Sequence, residues 1–169
     1  MKEHTILILG VGNALMGDEG IGVHAARRLA QVPFPPNVRV VDGGTGGFHL
    51  LSLFAECDNI VMIDTTMDGK PPGTVSTIEP HFASDFPTAL SAHDIGLRDL
   101  VESAALLDSL PKTHLVTVSV DKLQPMRMEL SEEVGDSLPV VEEAVHTILR
   151  RINPHFLPGF NNQGSRANS

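Results

Sequence analysis

Three short apolar runs early in the chain each stop abruptly at glycine or acid, and this pattern admits few folds. Ile6–Leu9 empties into Gly10-Val11-Gly12-Asn13, Val38–Val41 into Asp42-Gly43-Gly44-Thr45-Gly46-Gly47, and Ile60–Ile63 into Asp64. Strands that are apolar on both faces belong to parallel sheets covered by helices. The carboxyl ends of such strands share one rim, where ligands bind. Glu19, Asp42 and Asp64 are all delivered to that rim, and three carboxylates favour a metal or a positively charged centre over a phosphate.

The spaces between the runs carry helical patterns. Ile21, Ala25 and Leu29 recur on one face of a helix over 21–31, with Arg27 and Arg28 outside. Asp18 and Glu19 precede its first turn, where acids favour the helix dipole. A second helix covers 48–55. After the third strand the rhythm changes. Residues 74–78 alternate with period two and follow strand three with no helix between, which predicts an antiparallel edge strand. A long irregular stretch, 79–92, leads to a helix over 95–107, a strand over 115–120 and a final helix over 138–152, with a helical turn near 131–134. The order βαβαββαβα predicts an α/β three-layer sandwich. Its sheet has about five mostly parallel, twisted strands with one antiparallel edge and helices on both faces. One domain is expected over 1–153, with a disordered polar tail over 154–169.

Charge narrows the partners. The chain carries 12 basic and 21 acidic side chains, a formal charge of -9, which disfavours nucleic acid and anionic membranes. No run approaches the ~18 apolar residues of a membrane span. Glu3 and His4 interrupt the start, so a buried first strand explains Ile6–Leu9 better than a signal peptide. A cytoplasmic protein, a monomer, is expected. Cys57 is the single cysteine, so an internal disulfide is excluded, and it reads as a buried, inert thiol.

The chemistry-bearing motifs divide unevenly. Gly10-Val11-Gly12 lacks the third glycine of a dinucleotide fingerprint, and Asp18 and Glu19 would repel a pyrophosphate at the helix start. The paired glycines after Asp42 exceed the needs of a turn and would let an extended peptide approach. Glu19, Asp64 and His93 all fall at a strand end or helix start on the predicted rim. Two carboxylates and an imidazole would leave open positions on a divalent ion, although spacing alone does not name the metal. No G-x-S-x-G elbow is present, and Cys57 has no histidine partner in sequence.

Read together, these blocks resemble a known family. Gly10-Val11-Gly12-Asn13, Gly17-Asp18-Glu19-Gly20-Ile21-Gly22, Asp42-Gly43-Gly44-Thr45, Asp64 and Ser91-Ala92-His93-Asp94-Ile95-Gly96-Leu97 are similar, in order and spacing, to the motifs of the [NiFe]-hydrogenase maturation endopeptidases. The resemblance spans roughly residues 5–150. It implies a twisted five-stranded sheet and an endopeptidase that removes the C-terminal extension of the hydrogenase large-subunit precursor once nickel is inserted. It assigns nickel-binding roles to Glu19, Asp64 and His93, and gives Asp42 a role near cleavage or recognition. The nickel would be sensed in the substrate, not held permanently. Glu19 or Asp64 could instead activate a water as general base, and the sequence leaves this open. The alternatives are a nickel-handling assembly chaperone that cuts nothing, or a small nucleotide-binding protein.

Overall fold

A computed structural model describes residues 4–87, 97–108, 110–122 and 124–156. Five strands form one sheet: β1 (Ile6–Gly10), β2 (Val38–Asp42), β3 (Asn59–Thr66), β4 (Val75–Ile78) and β5 (Lys112–Ser119). Their order across the sheet is β2-β1-β3-β5-β4. All neighbours are parallel except β4, which runs antiparallel to β5 at the edge. The helices are α1 (Ile21–Leu29), α2 (Leu51–Ala55), α3 (Leu97–Leu106), α4 (Glu132–Asp136) and α5 (Leu138–Ile152).

Alternation along the strands builds two cores. Ile6, Ile8, Val61, Ile63, Val116 and Val118 meet α1 and α5 on one face. Leu7, Leu9, Ile60, Met62 and Leu115 meet α2 and α3 on the other. Fully buried strands need helices on both sides, and the observed layers supply them. α1 lies tightly on the sheet because Gly22 lacks a side chain. A Cβ there would overlap the carbonyl oxygens of both Val11 and Ile63.

Several expected bounds shift for identifiable reasons. β3 does not stop before Asp64. It continues through Thr66, because Asp64, Thr65 and Thr66 pair with Thr117, Val118 and Ser119 of β5. β5 correspondingly begins at Lys112, earlier than expected. The expected helix over 48–55 divides into a 3₁₀ turn (Phe48–Leu50) and α2, with Leu50 and Phe54 buried and Leu51 only half-buried. The packed domain also passes the expected boundary at 153. Phe156 is buried in the α1/α5 core, its ring stacked on Phe34 at 6.0 Å and 6.4 Å from that of His146. The remainder of the expected tail, from residue 157, lies outside the described residues, as do Ile95 and the segment before α3.

Candidate active site

The chain reverses its direction of travel across the sheet between β1 and β3. It passes from β1 outward to β2, then crosses back to place β3 on the other side of β1. Loops diverge at such a switch point and open a crevice at the carboxyl ends of the strands. The loop after β1 and the end of β3 lie at this switch point.

Glu19 lies in the loop on the β1 side. Val11 donates its N–H to the Ile63 carbonyl at 2.9 Å, and Gly12 donates to the Gly44 carbonyl at 2.7 Å. The chain then folds into a 3₁₀ turn, Gly17–Gly20, that leads directly into α1. Gly12 has φ +156°, and a Cβ there would overlap the Glu19 carbonyl oxygen. Glycine at position 12 therefore lets the Glu19 turn sit down on the strand end. Glu19 is 2% exposed.

Asp64 arrives from β3 and is 0% exposed. Its Oδ1 accepts the N–H of Thr65 at 2.8 Å. By strand alternation it lies on the same face as Met62, which is the face covered by α2 and α3. Gly22 rests on Ile63, so the turn carrying Glu19 and the strand carrying Asp64 adjoin at one end of the sheet. Two carboxyl groups are thus buried near one end of the sheet, and a carboxylate held out of water favours a positive charge beside it. His93 lies outside the described residues, four positions before α3 begins on the Asp64 face.

Asp42 shares the rim but not the arrangement. It pairs with Gly10, which is flanked on its other side by Ile63. Its carboxylate turns toward α1, where Oδ2 accepts from Arg27 Nε at 3.0 Å and Oδ1 from the Gly44 N–H at 3.0 Å. Asp42 therefore orders the glycine loop on the face opposite Asp64.

Local pattern missed one further element. The loop after β5 is stitched to the Glu19 turn. Gly17 donates to the Arg127 carbonyl at 2.6 Å, Arg127 to the Leu15 carbonyl at 3.1 Å, and Asp18 N–H to Gln124 Oε1 at 3.2 Å. The Asp18 carboxylate accepts from Ser131 N–H at 2.6 Å. No spacing rule links positions so distant in the chain.

The family model for hydrogenase maturation proteases matches residues 23–150. The chain belongs to the hydrogenase maturation protease family. The protease is 32% identical over 157 residues to the hydrogenase 2 maturation protease of Escherichia coli, covering 90% of this chain and 95% of that one. It is 30% identical over 166 residues to the hydrogenase expression/formation protein HupD of Bradyrhizobium diazoefficiens, covering 90% and 86%. The solved structure of the hydrogenase maturating endopeptidase HybD from E. coli superposes with a TM-score of 0.81 at 32% identity, covering 91% of this chain and 97% of that one. The protease is thus an endopeptidase with the expected five-stranded α/β fold, and the chaperone and nucleotide-binding alternatives fall away. Among the described residues no helix is long and apolar enough to cross a membrane.

Proposed function

We propose that this endopeptidase removes the C-terminal extension of a [NiFe]-hydrogenase large-subunit precursor after nickel insertion, and that Glu19, Asp64 and His93 read the nickel carried by that substrate. The observation that carries the reading is the burial of Glu19 and Asp64 at the switch point of the sheet. Carboxylate and imidazole donors suit divalent nickel but bind it less tightly than thiolates do. A site of this composition can therefore share coordination with a metal held by the substrate without stripping it. Nickel acts here as part of the substrate, aligning the precursor so that only the loaded form presents its scissile bond at the rim.

The reading has a direct test. Purified protease is incubated with nickel-loaded and nickel-free precursor, and the product masses are measured. Loss of the C-terminal peptide from the loaded form alone is the expected result. Equal cleavage of both forms would remove nickel from the account. Action in the cytoplasm as a monomer belongs to the same proposal, and sedimentation of the purified chain tests the monomer.

A further inference from the structure

The loop after β5 places a methionine where folding alone would not. Gln124-Pro125-Met126-Arg127 turns with proline second and Met126 third at φ +62°. A turn with positive φ at that position ordinarily takes glycine or asparagine. A large apolar residue there is strained, and this one is 94% exposed. Its neighbours are of the same kind: Met128 is 59% exposed and Leu15 is 56% exposed. Leu15 and Arg127 are joined by the N–H···O bond from Arg127, and Gly17 bonds back to the Arg127 carbonyl, so the backbones that carry the apolar side chains are clamped together. Backbone strain and exposed apolar side chains together mark a surface built to meet another molecule.

The clamp leads straight into the site. Leu15 precedes the turn that carries Glu19, and Asp18 holds the loop after β5 at two points, its N–H donating to Gln124 Oε1 and its carboxylate accepting the Ser131 N–H. The charge nearby is one-sided. From Arg127 to Asp136 the exposed charged residues are one base and four acids: Glu129, Glu132, Glu133 and Asp136. We infer that Leu15, Met126 and Met128 form a docking platform for the protein substrate, taking a segment next to the scissile bond that bears apolar side chains and net positive charge. The inference rests on the endopeptidase reading of the Glu19–Asp64 site and names how its substrate is held. Methionine suits the task, since its flexible thioether moulds to varied apolar partners.

The triple variant Leu15→Ser, Met126→Gly, Met128→Ser tests this on nickel-loaded precursor. It is expected to fold, as seen by far-UV circular dichroism, and to raise KM about tenfold with kcat unchanged, the scale of losing a small apolar anchor cluster. Met126→Gly alone relieves the turn, keeps or raises Tm and gives a smaller rise in KM, so it decides the matter should the triple variant unfold. An unchanged KM overturns the platform, as does a fall in kcat at constant KM. Disruption by the variants of a dimer formed by the wild-type chain, with cleavage unaffected, assigns the face to self-association and also overturns it. Failure of the wild-type chain to cut the precursor refutes the endopeptidase reading and the platform with it. Normal wild-type cutting with unaffected variants refutes the platform alone.

Discussion

Ser131 donates its backbone N–H to the Asp18 carboxylate at 2.6 Å, joining the turn before α1 to the residue that precedes α4. Adjacent acids thus have different work. Asp18 locks two loops together, and Glu19 is buried beside it in the same turn. A hydrogen bond to a charged acceptor contributes more than a neutral one, and losing it leaves Ser131 N–H without its acceptor. Asp18→Ala is therefore expected to destabilise the protein by about 2 kcal/mol. Asp18→Asn, which keeps an acceptor, costs less. Chemical denaturation of the three proteins measures the difference, and equal midpoints would show that the tie contributes nothing.

That tie also marks the limit of what the sequence made legible. The succession of elements, though not the order of strands across the sheet, followed from local pattern: β4 was expected at an antiparallel edge because no helix separates it from β3, and α5 was expected over its observed span. These are effects of neighbours in sequence. The extension of β3 past Asp64 was hidden because polar Asp64, Thr65 and Thr66 look like loop until β5 supplies partners. Asp18 looked like a helix-dipole acid for the same reason, since its partner is distant in the chain. The position of Asp64 at the close of an apolar run and of Glu19 in the loop after β1 was legible in sequence; their burial was not, because it depends on the turns and helices packed around them. The opposite facing of Asp42 was not, because it depends on which side of β2 the pleat turns.

Removal of the site's donors separates chemistry from folding. Glu19→Gln and Asp64→Asn keep size and shape while removing negative charge from buried positions. Both are expected to fold and to lose precursor processing, and His93→Ala is expected to do the same. Mass measurement of the precursor after incubation is the readout. Release of the C-terminal peptide at the wild-type rate by Glu19→Gln and His93→Ala together would remove nickel sensing from these residues.

Cys57 contributes to the alkaline limb of stability. Partial burial raises its thiol from 9.0 to about 11, helped by Asp58 and Glu56 and opposed by Arg39. A folded value above the unfolded one stabilises the folded state fully below pH 9, and that contribution is lost as pH climbs toward 11. Denaturation midpoints at pH 8 and pH 10.5 are therefore expected to fall less in Cys57→Ala than in wild type. The same shift makes the native thiolate scarcer by about a hundredfold at pH 8, so iodoacetamide labelling should be slow until the chain unfolds. Rapid labelling of the folded protein would contradict an inert thiol.

Asp42 decides between a chemical and a positioning role. Its two oxygens hold Arg27 and the Gly44 N–H, and the Gly44 carbonyl in turn receives Gly12 N–H beneath the Glu19 turn. Asp42→Asn keeps an oxygen for Gly44 and weakens only an ion pair whose partners are partly exposed, worth at most about 1 kcal/mol. We expect this variant to retain kcat within a few-fold, with KM moving more than kcat. Asp42→Ala removes the Gly44 acceptor as well, loosens the glycine loop and raises KM further. Arg27→Ala should resemble Asp42→Asn, since it breaks the same ion pair and leaves the loop bond in place. Steady-state cleavage of the precursor by the three variants checks the order. A loss of kcat in Asp42→Asn as complete as that in Glu19→Gln would instead make Asp42 a participant in the chemistry, acting from the α1 face of the sheet.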